Sequence, residues 1–302
     1  IGPGDRKKAF IKAFSSYAGK KDGVALRSFI DAVGLALKCL GLEEGDSCAI
    51  SVLSPEIYSE AFRRNGIKPY LVDVDDEMMV DSEAVKAGLD KGVKAVLYFE
   101  PLGLLPSSME SIKAIGIPVI EDITESIGSV YSSIKPGVIG DIVIAATEED
   151  SIVSTAGGAV LLSDNEEYLS IMKKEVSDYS PFIELADMNA ALGIVQLDKL
   201  PSIVQRRSSI YDIYLDEARK RNRVKVFGSG GIDLEVNGYG FCCIINDRPD
   251  EAIQLAQKYQ VTIRKTFSKA IGARYQDRFD RFPKAVPALS RGVSFPLYPF
   301  LS

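Results

Sequence analysis

Three acidic side chains stand where acid–base chemistry could take place. Asp122 ends the apolar run PVIED, Glu125 follows it by three residues, and Asp150 lies in the segment AATEEDSIV. Carboxyl groups that share a cleft raise one another's pKa, because each charged neighbour disfavours a further negative charge. If the three converge, one of them can exchange a proton near neutral pH. We treat them as candidate general acid–base residues.

Missing residue types exclude several other kinds of chemistry. The 302-residue chain contains no histidine, which excludes Ser–His and Cys–His nucleophile pairs and the HExxH zinc site. The four cysteines form no CxxC spacing, and a zinc site built from carboxylates alone is unusual, so we expect no metal. No Gly-Lys-Ser/Thr follows a glycine run, which excludes a P-loop.

The composition is that of a globular protein without a nucleic-acid or membrane partner. Apolar residues make up 46% of the chain and charged residues 26%, with a formal net charge of −6, and this acidic balance argues against anionic partners. No apolar run reaches the roughly 18 residues of a membrane helix, and the start IGPGDRKKAF lacks the apolar segment of a signal peptide. Cys242 and Cys243 are adjacent in an apolar run, as expected for core thiols of a reducing compartment. We expect a cytoplasmic protein.

An alternation of predicted strands and helices positions these residues. From Ser28 onward, the helix SFIDAVGLALKCLGL, in which Ser28 and Asp31 are spaced like a capping box, precedes the apolar run CAISVL, a helix between Pro55 and Asn65, and the strand KPYLVDV. Helix DSEAVKAGLD, strand KAVLYF, helix SSMESIKAIG and strand PVIED continue the pattern. Short, continuously apolar strands are typical of a sheet covered on both faces. We predict an α/β fold with a mostly parallel, doubly wound sheet.

The second half of the chain has a different organisation. DIVIAATEEDSIVSTAGGAVLLS predicts a hairpin, and two long helices follow it, the second interrupted near Pro201. Beyond Arg221, the runs VKVF, GYGFCCIIN and VTIRK with the helix PDEAIQLAQKYQ predict a smaller α/β unit. We therefore divide the chain into a large α/β domain, residues 1–205, and a small C-terminal α/β domain, residues 206–302.

Several of these stretches together resemble one family. PVIEDITESIGSVY, GDIVIAA, GGAVLLSDNEEY, NAALGIVQLDKLPSIVQRR and FPLYPFLS are similar, in order and over essentially the whole chain, to the DegT/DnrJ/EryC1/StrS sugar aminotransferases. The resemblance implies the fold-type-I transferase fold, pyridoxal 5′-phosphate (PLP) as cofactor, nucleotide-linked keto-sugars as substrates, and a homodimer or a heterodimer with a paralogue. Members usually carry an N-terminal arm before the position that matches Gly2, so we expect that an arm is missing here or that the protein is naturally shorter.

The resemblance assigns roles to the acidic residues and identifies a replacement. Asp122 matches the carboxylate that pairs with the pyridine nitrogen, and Glu125 stands where the family carries Gln or His against the cofactor ring. The family's Schiff-base lysine matches Asp150 or Ser151, and residues 136–172 contain no lysine. Neither Ser nor Asp can form an imine, and the histidine that some members use instead is absent too.

Other parts of the family's cofactor site also differ. Ser28 and Phe29 match the Ser-Gly of the phosphate loop, so the serine is a candidate cofactor-binding residue while the glycine has become bulky. Leu53 stands nearest to the family's stacking aromatic residue, and Phe182 falls in a segment that reaches the neighbouring subunit's phosphate. Arg264 matches the arginine of the family's Thr-Arg-x-His-Tyr segment and is a candidate substrate-binding residue.

We consider three hypotheses. The first is a pseudoenzyme that cannot form the PLP aldimine and that binds a sugar nucleotide or another metabolite, or supports an active paralogue. In one form of this hypothesis, the family's cofactor pocket is filled by the side chains of Phe29, Leu53 and Phe182 and binds nothing. The second is a PLP-dependent nucleotide-sugar aminotransferase of surface polysaccharide biosynthesis that uses an unusual lysine, Lys265 or Lys269. The third is a lysine-free enzyme in which the three carboxylates perform acid–base chemistry.

Overall fold

Helices and strands alternate along most of the chain. The structure, a computed structural model, describes residues 4–107, 110–180, 182–222, 224–228, 233–246 and 248–301. The α-helices are α1 (Arg6–Ala18), α2 (Phe29–Cys39), α3 (Ile57–Arg64), α4 (Ser82–Leu89), α5 (Glu110–Lys113), α6 (Glu166–Tyr179), α7 (Asp187–Arg219), α8 (Pro249–Lys258) and α9 (Val286–Arg291). The strands are β1 (Asp22–Leu26), β2 (Ser47–Ser51), β3 (Lys68–Val72), β4 (Val93–Phe99), β5 (Val119–Asp122), β6 (Val130–Tyr131), β7 (Ile142–Ala146), β8 (Ala159–Ser163), β9 (Val224–Val226), β10 (Leu234–Glu235), β11 (Phe241–Ile245), β12 (Arg264–Lys265) and β13 (Gly292–Phe295).

Seven strands form the large sheet, in the order β1-β8-β7-β5-β4-β2-β3. The pairs β2–β3, β2–β4, β4–β5 and β5–β7 are parallel, and β8 runs antiparallel between β7 and β1. The prediction of a mostly parallel sheet is therefore confirmed. Asp122 is the last residue of β5 and Ala146 the last residue of β7, so the segments after them meet at the carboxyl edge. Open α/β sheets bind their ligands at this edge.

Helices cover both faces of the large sheet, because its strands are apolar on both sides. Successive strand side chains point to opposite faces, so Val160 and Leu161 of β8 enter two different buried clusters. One cluster includes side chains of α2, α3 and α6. The other includes Phe10 and Phe14 of α1. Each aliphatic side chain buried in this way contributes about 1.5–3 kcal/mol to folding.

The predicted hairpin is formed by β7 and β8, with Ile142 opposite Ser163 and Ala146 opposite Ala159. Gly158 ends the connection with φ +125, and a Cβ added there would lie 2.7 Å from the carbonyl oxygen of Leu26. Only glycine allows both this backbone angle and this close approach. The connection, residues 147–158, lies at the carboxyl edge of the sheet.

Helix α7 runs unbroken from Asp187 to Arg219, so the predicted interruption near Pro201 is wrong. A proline inside a helix costs about 3 kcal/mol, but packing on both sides holds this helix together. Before the proline, Gly193 lies against Phe10. After the proline, the ring centroid of Tyr211 lies 5.2 Å from that of Phe241. The helix passes through the division at residues 205 and 206, and that division stays a prediction.

Four strands form a second, antiparallel sheet in the order β12-β13-β11-β9. This sheet belongs to the predicted smaller α/β unit. The β10–β6 pair links Leu234–Glu235 to Val130–Tyr131 of the larger part. Cys242 and Cys243 lie on β11, and all four cysteines are free and buried, as predicted for core thiols. None of the described helices has the length and apolar character needed to cross a membrane.

Asp73 ties the large sheet to α9. It follows β3 and is 9% exposed. Its two carboxylate oxygens accept the backbone N–H groups of Lys284 at 2.9 Å and Ala285 at 2.8 Å. Ionised acceptors make stronger hydrogen bonds than neutral ones, so this contact fixes the position of α9 against the large sheet.

We expect the substitution Asp73→Ala to lower the free energy of unfolding by about 2–4 kcal/mol, because two backbone donors lose a charged acceptor. Asp76→Ala is the matched control: it removes an ion pair of 2.9 Å with the Nζ of Lys284, and the Asp76 side chain is 92% exposed. The control substitution should lower the free energy of unfolding by less than about 1 kcal/mol. Urea unfolding of both variants measures the difference, and equal losses would contradict this role of Asp73.

Candidate active site

Asp122, at the carboxyl end of β5, lies at the centre of the candidate site. Its side chain is 1% exposed. Oδ1 accepts the N–H of Thr124 at 2.9 Å and the Thr124 hydroxyl, and Oδ2 accepts the Tyr58 hydroxyl at 2.5 Å. Burial raises the pKa of Asp122, while the hydrogen bonds from Thr124 and Tyr58 act in the opposite direction. Both carboxylate oxygens therefore have donors from the protein itself.

Tyr58 is a site residue that the sequence analysis missed. It lies on α3, is 0% exposed, and its ring makes an edge contact with Phe29 at 5.5 Å. The spacing of Tyr58, Ala61 and Phe62 predicts a buried helix face, and all three are buried. That spacing indicates burial but not the hydrogen-bond partner of the phenol.

Glu125 is held from two directions. Its Oε2 accepts the N–H of Leu102 at 2.6 Å, and the Tyr239 hydroxyl also hydrogen-bonds to it. Leu102 has φ +55, a left-handed conformation that is uncommon for a residue with a side chain. Burial raises the pKa of Glu125 to about 8, with further increases from the charges of Asp122 and Asp150. At neutral pH this carboxyl group is therefore largely protonated and can act as a donor.

Asn237 places Tyr239 against Glu125. The Asn237 side chain is 0% exposed, and its amide donates to the carbonyl oxygens of Glu125 at 2.7 Å and Ile127 at 2.8 Å. Its Oδ1 accepts the N–H of Tyr239 at 2.7 Å. The charge of Glu125 and burial raise the pKa of Tyr239, while Arg264 lowers it. Tyr239 was also missed, and we find no local sequence signal that would have identified it.

The structure brings Asp150 to the same cluster. This residue is exposed on the hairpin connection, and its charge raises the pKa of both Glu125 and Tyr239. Ser151, the other residue matched to the lysine position, is 8% exposed. The Ser151 N–H donates to the carbonyl of Glu148 at 3.2 Å, which closes a turn. Asp122 ends the strand that Glu125 follows, and the charge of Asp150 acts on Glu125, while the convergence of the three carboxylates in one cleft and their catalytic roles stay predictions.

The remaining residues of the matched cofactor site have different environments. Ser28 caps α2, accepting the N–H of Asp31 at 3.3 Å, as their capping-box spacing predicts. Phe29 and Leu53 are 8% and 2% exposed. Phe182 is 82% exposed and fills no pocket of its own chain; because its segment is matched to one that reaches the neighbouring subunit, the expectation that it fills the family's cofactor pocket stays a prediction. Phe182 lies in the connection between α6 and α7, where its ring faces solvent in this chain.

Arg264 and Lys265 form β12, and adjacent strand residues point to opposite faces. Arg264 is exposed and acts on the pKa of Tyr239. Lys265 instead pairs with Asp250 of α8 at 2.9 Å, which holds its amine against that helix. Lys269 is exposed on the loop that follows.

Comparisons with known proteins identify the family. The model of the DegT/DnrJ/EryC1/StrS aminotransferase family matches residues 1–302. The chain belongs to this family. It is 27% identical over 241 residues to the UDP-4-amino-4,6-dideoxy-N-acetyl-beta-L-altrosamine transaminase of Campylobacter jejuni, covering 72% of this chain and 63% of that protein. It is 28% identical over 234 residues to EpsN of Bacillus subtilis, a proposed pyridoxal phosphate-dependent aminotransferase, covering 68% of this chain and 59% of EpsN. The chain thus spans less than two thirds of either relative.

Solved structures confirm the predicted transferase fold. The aminotransferase TlmJ from Streptoalloteichus hindustanus superposes with a TM-score of 0.89 at 20% identity, covering 100% of this chain and 87% of TlmJ. DesV of S. venezuelae, solved with a ketimine intermediate, gives a TM-score of 0.88 at 19% identity, covering 100% of this chain and 86% of DesV. The family implies PLP, and the solved forms of Spr1654 from Streptococcus pneumoniae, a proposed sugar aminotransferase, include PLP and PMP forms.

The residues around Asp122 do not fit PLP in this arrangement. An internal aldimine needs a lysine, and residues 136–172 contain none. The pyridine nitrogen needs Asp122, but its Oδ2 already accepts the Tyr58 hydroxyl. The position that the resemblance places beside the ring holds Glu125, a partly buried acid. The family therefore implies PLP, while the side chains around Asp122 do not fit it.

The raised pKa of Glu125 predicts a pH dependence of stability. Its folded pKa of about 8 lies above the ordinary value of 4.5, so the folded state holds the proton more tightly than the unfolded state. The stability from Glu125 is fully present below the ordinary value and is lost as the pH rises through the folded pKa. Between about pH 5 and about pH 8.5, the melting temperature of the wild type should therefore fall relative to that of Glu125→Gln.

Thermal unfolding followed by circular dichroism measures this difference. Glu149→Gln, which changes an exposed carboxylate on the hairpin connection, is the matched control and should retain the pH profile of the wild type. Parallel profiles for the wild type and Glu125→Gln would show that Glu125 titrates normally in the folded protein.

Proposed function

We propose that this chain acts on a nucleotide-linked sugar, as an enzyme of the aminotransferase class in surface polysaccharide biosynthesis. The family match over residues 1–302 carries this proposal. The relative from C. jejuni is named as a transaminase of a UDP-linked amino sugar. Such names support our second hypothesis, a working nucleotide-sugar aminotransferase, better than the first, a pseudoenzyme.

The side chains around Glu125 and Arg264 offer groups of the right chemistry for such a ligand. Arg264 supplies a cation for a diphosphate, because guanidinium groups bind phosphate oxygens through charged hydrogen bonds. Tyr239 and the protonated Glu125 supply hydroxyl donors and acceptors for a sugar. The negative charge of Asp150 repels phosphate. We therefore place the sugar near the carboxyl groups and the diphosphate near Arg264.

We expect Arg264→Gln to weaken the binding of UDP-N-acetylglucosamine, used as a probe, by about 10-fold or more. A hydrogen bond to a charged group contributes about 1.5–3 kcal/mol. Arg248→Gln is the control, since Arg248 is 86% exposed and pairs with Glu251 at 3.7 Å. Isothermal titration calorimetry measures both affinities. Equal affinities would remove Arg264 from the ligand site, and no binding by the wild type would contradict the ligand class.

Transamination requires an amine that forms an imine with the cofactor aldehyde. Within our proposal, Lys265 or Lys269 would supply it, and the cofactor would have to displace the Tyr58 hydroxyl from Asp122. Lys265 must first leave its ion pair with Asp250. The Asp250 side chain is 70% exposed, so this ion pair is weak. Lys269 lies on an exposed loop. The partner state is a proposal as well: a homodimer, or a heterodimer with a paralogue, is supported by the exposure of Phe182 and Met188, each 82%.

Transamination by this chain predicts an aldimine absorbance band with saturating PLP, and borohydride reduction should fix the cofactor covalently. Peptide mapping should then find the adduct on Lys265 or Lys269, and the corresponding Lys→Arg variant should lose it. The other Lys→Arg variant serves as the control. A spectrum identical to that of free PLP, with no shift in melting temperature, would contradict transamination by this chain.

A further inference from the structure

The Oδ1 side of the Asp122 carboxylate is occupied by its own loop. The N–H and the hydroxyl of Thr124 both donate to Oδ1. The Thr124 oxygen in turn accepts the N–H of Ala146 at 2.9 Å, which anchors the threonine to the end of β7. A ligand that approaches Asp122 must therefore bind through Oδ2.

Tyr58 occupies the Oδ2 side. Its hydroxyl donates to Oδ2 at 2.5 Å, across 64 positions of sequence. The Tyr58 ring is fully buried, and its centroid lies 5.5 Å from that of Phe29 and 6.4 Å from that of Phe62. A buried phenol hydroxyl needs an acceptor, so moving this side chain away costs its hydrogen bond as well as its ring contacts. A ligand that displaces Tyr58 from Asp122 must therefore offset both losses.

We propose that Tyr58 occupies the position on Asp122 that a protonated heteroaromatic ring nitrogen would take, and that it competes with pyridoxal-type cofactors for this carboxylate. An O–H donor and a ring N–H donor cannot reach Oδ2 along the same direction. With Asp122 only 1% exposed, no other approach to the carboxylate is open. Tyr58 thereby satisfies the buried acid when no cofactor is bound.

The protonation of Tyr58 agrees with this role. Burial and the negative charge of Asp122 raise the pKa of Tyr58 well above its usual range. The phenol therefore stays a neutral donor. It replaces a cationic ring nitrogen by an uncharged group, so the Asp122 carboxylate has a hydrogen-bond donor but no cationic partner.

Pyridoxamine 5′-phosphate is the probe that tests this competition. It carries the ring nitrogen and the phosphate but no aldehyde, so it cannot form imines with surface lysines. Its affinity is measured by fluorescence titration and by the shift in melting temperature for the wild type, Tyr58→Phe and Tyr58→Ala. Tyr211→Ala, which removes a buried tyrosine of a different cluster, is the control.

We expect Tyr58→Ala to bind the probe about 10-fold more tightly than the wild type, which corresponds to the loss of one competing hydrogen bond. Tyr58→Phe, which frees Oδ2 but keeps the ring, should lie between them. Tyr211→Ala should bind like the wild type. Adding Asp122→Asn to Tyr58→Ala should abolish the gain, since the ring nitrogen then loses its carboxylate.

Equal affinities of the wild type and Tyr58→Ala, or no binding by either, would overturn the inference. If Tyr58→Ala does not fold, as judged by circular dichroism, Tyr58→Phe decides: an affinity equal to that of the wild type would overturn it. The inference concerns Tyr58 and Asp122 and does not depend on the sugar ligand. Failure of UDP-N-acetylglucosamine binding would count against the proposed function alone.

Discussion

The burial of acidic side chains around the end of β5 constrains much of the surrounding structure. A buried carboxylate is costly unless donors satisfy it, and here the donors are backbone N–H groups and hydroxyls. Glu121 is 0% exposed and accepts the N–H groups of Gly137 at 2.7 Å, Ile139 at 2.8 Å and Gly140 at 2.6 Å. The turn that leads into β7 is therefore folded around this side chain. Asp122 shapes the next turn in the same way, through Thr124.

Two acids of the same region avoid the cost of a buried charge by keeping a proton. Burial and the charge of Glu121 raise the pKa of Glu100 well above its usual range, and the Ser126 hydroxyl donates to it. Burial also raises the pKa of Glu125. The chain thus has the fold of its family, with a group of acidic side chains at the end of β5. A fold hosts different chemistries, so the side chains at this edge decide which reaction this protein can perform.

Local sequence patterns were sufficient to predict the main elements. Apolar runs separated by helical periodicity gave the parallel sheet, and the carboxyl-end position of Asp122 followed from it. The spacing that begins at Ser28 gave a helix cap, and the Gly157-Gly158 pair fits the end of the hairpin. The lack of a lysine in residues 136–172 is a fact of the sequence alone. These features depend on neighbours within a few positions, so the sequence displays them directly.

Other features were decided by tertiary contacts. The partner of Tyr58 lies 64 positions away, and the side chain of Asn237 bonds to the carbonyl of Glu125 across 112 positions. Packing on both sides of Pro201 stabilises α7, although proline disfavours the interior of a helix. The sequence by itself determined which residues are available and which strands and helices carry them. Only the tertiary structure decided which donor meets which buried carboxylate, because hydrogen-bond satisfaction in a core is settled by distant segments that no local periodicity encodes.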